Sequence, residues 1–191
     1  MSLTTLDIKE PGLNALPPGV ERYVVEGGGL TGIQILPDDE IEIINNEGNQ
    51  ICEISVFNKN GKSELGILGL KEIKESSEIK KMLFKKDETS LQALFQLKKR
   101  NLSIEKSKSS LVFDKETKAG ESIKIKSKDK CYCIFAAPGK VMMVHEQNPS
   151  TELTVIVKRS TIKEDKEFSI IPDPVYDPSN EINIARTTAN S

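Results

Sequence analysis

The chain has 191 residues, 37% of them apolar and 29% charged, with 27 basic against 29 acidic side chains and a net charge of −2. That length suits one substantial domain with or without an appendage, and the balanced charge argues against global attraction to nucleic acid or anionic lipid. No apolar run approaches the roughly 20 residues that span a bilayer, no signal-like leader opens the sequence, and three cysteines make no disulfide framework, so a cytoplasmic protein is expected.

Residues 1–16 read as a polar leader broken by Pro11-Gly12. Strand signals then follow closely: Val20 to Glu26, a Gly27-Gly28-Gly29 turn, Leu30 to Leu36, and the turn Pro37-Asp38-Asp39. Glu40 to Ile44 alternates, with Ile41 and Ile43 on one face and Glu40 and Glu42 on the other; after Asn45-Asn46-Glu47-Gly48, Gln50 to Phe57 is a fourth strand. Loops this short predict an antiparallel meander, since parallel pairing needs longer crossovers.

The period then changes, and a helical insertion is expected at about 71–102. Ser77 to Lys85 is weakly helical, and Thr89 to Asn101 is stronger, with Thr89 and Gln92 at capping-box spacing. Leu91, Leu94, Phe95 and Leu102 form its apolar stripe, and Lys98-Lys99-Arg100 sits where cations favour a helix C-terminus. Strands resume around Ile123 and Ile125, Lys130 to Ala136, Val141 to Val144 and Glu152 to Arg159. The fold class is α+β, mainly β: an antiparallel meander or sandwich, or a partly open barrel, over residues 17–160 with a two-helix insertion. Residues 161–180 read as a proline-rich linker and 181–191 as the first strand of a following domain, the other reading being a tail that folds back as an edge strand.

Charge is uneven. From Asn58 to Lys130 there are 19 Lys/Arg against 11 Asp/Glu, a net of +8, so the remainder carries −10. A solvated lysine-rich face is the preferred reading over a partner surface. Nucleic-acid binding is the weakest class, because aromatic residues are few and tryptophan is absent.

Few constellations could carry chemistry. There is one histidine, His145, with no Gly-x-Ser-x-Gly turn for a nucleophile and no phosphate-binding loop. Cys131 and Cys133, two apart on a strand, put both sulfurs on one face with Tyr132 on the other. With His145 they make three candidate zinc ligands; alternatively Cys131 to Ala137 is a core strand, since free cysteine is commonly buried. Asp38-Asp39 and the pair Asp173 and Asp177 lie in turn or linker sequence, where aspartate satisfies local amides.

Three segments carry a family resemblance: Tyr23-Val24-Val25-Glu26-Gly27-Gly28, Pro37-Asp38-Asp39-Glu40-Ile41-Glu42-Ile43, and Glu47-Gly48-Asn49-Gln50-Ile51-Cys52-Glu53 through Phe57. Their order resembles the urea-carboxylase-associated domain family. The tail, Pro172-Asp173-Pro174 through Glu181 to Ala189, looks like the lead-in to such a domain. Together with Pro17 to Tyr23 and Ala136-Ala137-Pro138-Gly139, it is similar to the N-terminal region of trimethylamine N-oxide demethylases (aldolases). In these a urea-carboxylase-associated-type domain precedes a glycine-cleavage T-protein-like aminomethyltransferase domain. The resemblance implies a parent protein using zinc and tetrahydrofolate to convert trimethylamine N-oxide to dimethylamine and formaldehyde. It also implies downstream zinc and folate domains as partners, and a homo-oligomer.

One departure is informative. In the zinc-binding version a cysteine ligand directly follows the Gln of Glu-Gly-x-Gln; here that position is Ile51, and Cys52 comes one residue later. On a strand, a one-residue offset reverses the side chain's direction unless a bulge intervenes. The expectation is therefore a non-catalytic relative of the zinc domain, with no catalytic, cofactor or metal residue of its own. The alternative is a free-standing β-rich small-molecule-binding domain that uses Cys131, Cys133 and His145.

Overall fold

The computed structural model describes residues 16–73, 77–85, 87–139 and 149–161. They form strands β1 (Val20–Val25), β2 (Leu30–Ile35), β3 (Glu40–Asn45), β4 (Cys52–Asn58), β5 (Ser109–Phe113), β6 (Glu121–Lys126), β7 (Cys131–Ala136) and β8 (Leu153–Lys158). Helices α1 (Glu78–Leu83) and α2 (Glu88–Lys99) lie between β4 and β5. The strand expected at Val141 to Val144, and the linker and strand expected after residue 161, lie outside the described residues.

The strands build two four-stranded antiparallel sheets, ordered β1-β8-β3-β6 and β2-β7-β4-β5. β1 pairs with β8, β2 with β7, β3 with β6 and β4 with β5, as in one long hairpin rolled up, while β3–β8 and β4–β7 close the sheets laterally. This is the jelly-roll order.

The sandwich expectation holds, but the meander does not. None of the first four strands pairs with another of the four, because every short loop among them carries the chain from one sheet to the other. Packed sheets sit about 10 Å apart, a gap such loops span easily. Alternation along each strand was legible; the identity of its neighbour was not.

The inner faces meet in one core. Val25, Ile41, Ile43, Ile125, Val155 and Val157 of the first sheet pack against Ile33, Ile35, Ile54, Val56, Phe113 and Phe135 of the second. Burying each such side chain contributes about 1.5–3 kcal/mol against the entropy of ordering it. The first sheet's outer face is solvated, with Glu40–Lys158 at 3.2 Å and Glu42–Lys124 at 3.8 Å. Part of the basic middle is therefore a lysine face paired across strands.

The second sheet is covered on both sides. Phe57, Ile134 and Ala136 on its outer face pack with Ile79 and Leu83 of α1 and with Leu102 and Ile104, while Ala93, Leu94 and Leu97 of α2 lie against them. Strands buried on both faces lose their alternation, which is why β4 and β7 read as nearly continuous runs.

Two details of α2 differ from expectation. Its N-cap is Asp87, whose carboxylate accepts from the Ser90 amide at 2.8 Å, so Thr89 lies within the first turn. Leu91 and Phe95 are 55% and 66% exposed; the face turned to the sheet is Ala93, Leu94 and Leu97.

Candidate functional site

Cys131 and Cys133 share a face, as their spacing predicts, with Sγ atoms 3.7 Å apart. That face looks into the inter-sheet core, where both are fully buried among aliphatic side chains. The hydrogen bond between them, and then burial, pushes the Cys133 thiol well above its ordinary range; the same bond lowers Cys131, which also lies 3.8 Å from Ser127 Oγ. His145 lies outside the described residues.

Cys52 also enters the inter-sheet core, in the same alternating series as Ile54 and Val56. The register shift between Cys52 and Glu53 against β5 does not take it out of that series. Burial, and after it the Glu53 carboxylate, pushes its thiol up. Ile51, just before the strand, is half-buried.

Zinc needs three or four deprotonated donors converging on one point. Two adjoining thiols, one strongly biased toward its protonated form and both walled by apolar groups, do not fit it. Among the described residues no group of three His, Cys, Asp or Glu side chains could hold a metal ion.

The polar groups that stand out are internal ties, and sequence reasoning missed them. Arg159 donates through Nη1 to Asp39 Oδ2 at 2.6 Å and through Nη2 to Glu21 Oε2, which also accepts from Tyr23 Oη at 2.6 Å. Asp39 is fully buried and further accepts the amides of Leu36 (2.9 Å) and Ser160 (3.0 Å). The cluster locks β1, the end of β8 and the β2–β3 turn together. Asp38, by contrast, is exposed and paired with Lys126 at 3.0 Å. Asp173 and Asp177 lie outside the described residues.

Gln50, the Gln of the Glu-Gly-x-Gln segment, is 1% exposed. Its Nε2 donates to the carbonyls of Ile51 and Pro138, both at 3.1 Å, and its Oε1 accepts the Thr151 amide at 2.9 Å. It thereby holds the exit of β7 beside the approach to β8. Close packing at this end requires Gly27, where a Cβ would lie 2.4 Å from the Ser150 carbonyl oxygen.

Glu53, 1% exposed on the outer face of β4, accepts from Ser77 Oγ and from the Glu78 amide at 2.7 Å. Ser109 Oγ joins the set, 2.9 Å from Ser77 Oγ and 2.8 Å from Ser55 Oγ. The carboxylate is the anchor for the start of α1, not a free acid in a cleft.

No protein-family model matches the chain. It is 33% identical over 185 residues to the trimethylamine-oxide aldolase of Ruegeria pomeroyi. The match takes in 96% of this chain and 23% of that protein. The chain is therefore related to a segment of a trimethylamine-oxide aldolase and spans less than a quarter of that relative's length.

Proposed function

We propose that this chain is a non-catalytic structural and assembly domain of a trimethylamine N-oxide demethylase (aldolase) of the aminomethyltransferase type. In this reading the conversion of trimethylamine N-oxide to dimethylamine and formaldehyde, with zinc and tetrahydrofolate, belongs to other domains of the polypeptide. The observation that carries it is the direction of the thiols: Cys52, Cys131 and Cys133 all fill the inter-sheet core. Glu53, Asp39 and Gln50, the buried groups best suited to chemistry, are each held by the protein's own donors and acceptors. Contact with the catalytic domains, or with a second copy of the parent, is supported by the exposed apolar side chains of Phe84 at the end of α1 and of Leu91 and Phe95 on α2.

The test uses the 191-residue chain itself. Incubated with zinc, tetrahydrofolate and trimethylamine N-oxide, it is expected to release no dimethylamine or formaldehyde and to retain only substoichiometric zinc after dialysis. Stoichiometric zinc that disappears in Cys52→Ser or Cys131→Ser, or sustained formaldehyde release, would overturn the reading.

A further inference from the structure

A cavity of about 300 Å³ lies between α2 and the outer face of β2 and β7, within the size range of small-molecule sites. Its walls are Leu30, Leu83, Leu97, Leu102 and Ile134. Gln34, Gln96 and Arg100 line it at exposed positions. Arg100 is the one charged residue in the lining, and no acidic side chain faces the space.

Gly32 accounts for the opening. It sits in the middle of β2, paired with Ile134, where a strand residue would ordinarily carry a side chain into the helix–sheet interface. A Cβ built there meets nothing within 4 Å, and the backbone is not in the left-handed region, so neither crowding nor turn geometry asks for glycine. The missing side chain leaves the space unfilled. At the α2 C-terminus the carbonyls of Leu97 and Lys98 are taken by the amides of Arg100, Asn101 and Leu102. Among the described residues the Arg100 guanidinium has no ion-pair partner.

We propose that this cavity binds a small amphipathic carboxylate, its hydrocarbon part against the leucine walls and its carboxylate on Arg100. An apolar chamber with a lone arginine at its mouth suits this class: burying the chain supplies affinity, and a planar guanidinium can engage both oxygens. Cations and zwitterions find no counter-charge in the lining. The site is independent of the assembly role above: of the three cysteines only Cys133 borders it, and the groups proposed to hold the ligand, Arg100 and the leucine walls, lie outside the thiol core.

Isothermal titration of the whole chain with octanoate, octanol and octylammonium tests the assignment. Octanoate is expected to bind saturably and octylammonium not at all. Arg100→Gln should weaken octanoate about tenfold or more, the size of a lost charged hydrogen bond, and change octanol by less than about twofold. Gly32→Val should abolish octanoate binding while leaving the melting temperature equal or higher, since valine suits a strand. Arg100→Gln, at an exposed position, decides the matter even if Gly32→Val folds poorly. The proposal falls if octanoate shows no saturable binding, if Arg100→Gln binds it as tightly as the parent chain, or if octylammonium matches it.

Discussion

At Arg159 a single side chain neutralises a carboxylate that has no access to water. Replacing it with methionine leaves Asp39 buried with only the amides of Leu36 and Ser160, a situation that costs on the order of 3–5 kcal/mol. Arg159→Met should lower the urea midpoint accordingly, and Asp39→Asn in that background should recover part of the loss by removing the uncompensated charge. An unchanged midpoint would mean that the cluster is decorative. The same contact sets a pH dependence: the hydrogen bond from Arg159 holds Glu21 below the usual carboxylate range. Its contribution is therefore present above an ordinary pKa of roughly 4.3 and is lost as pH falls through the depressed value. Glu21 is partly exposed, so water reduces the size of the effect. Arg159→Met should flatten this acid limb. None of this was legible from Asp39 in the sequence, where it reads as a turn aspartate; the hydrogen bond it accepts from the Leu36 amide fits that reading, but its guanidinium partner lies 120 residues away.

Among the elements, α1 is the most dependent on something outside itself. Six residues cannot sustain a helix in water, so its order comes from Ile79 and Leu83 against the sheet and from the Glu53 carboxylate at its start. Glu53→Ala should remove that anchor, destabilise the domain by roughly 1–3 kcal/mol, and selectively speed hydrogen exchange at the α1 amides. Exchange that rises uniformly across the domain would refute the anchoring role. Legibility followed how many faces an element shows to water. β3 could be read because Glu40 and Glu42 face solvent while Ile41 and Ile43 do not. β5 was missed because it opens with two buried serines, one of them tied into the Glu53 network. The α2 stripe was half right: Leu94 and Leu102 pack inward, but Leu91 and Phe95 satisfy helical spacing equally well on the exposed side, and periodicity cannot say which side meets the sheet.

Across the whole molecule the pairing partners are set by topology, and topology was the least visible property of the sequence. Each of the first four strands finds its neighbours in β5 to β8, the most distant being Val20 with Lys158. Short loops suggested local hairpins, yet the same loops serve a chain that alternates between two layers. The candidate site suffered similarly: the shared face of Cys131 and Cys133 was readable from spacing, but the layer they look into depended on a second sheet that no local pattern announces. This topology makes a sharp claim about autonomy. A fragment of residues 1–64 contains β1 to β4 and none of the strands they pair with, so it should give a collapsed amide spectrum and no cooperative thermal transition. A meander would behave oppositely, because its four strands would already own their ladders. Dispersed amide signals with a sharp unfolding transition from that fragment would show the strands pairing among themselves and would contradict the rolled-hairpin arrangement. Adding residues 65–161 as a separate chain should restore the dispersed spectrum, since it supplies β5 to β8 and both helices. Regain of structure should be slow, because contacts this far apart in sequence must close long loops before any ladder forms.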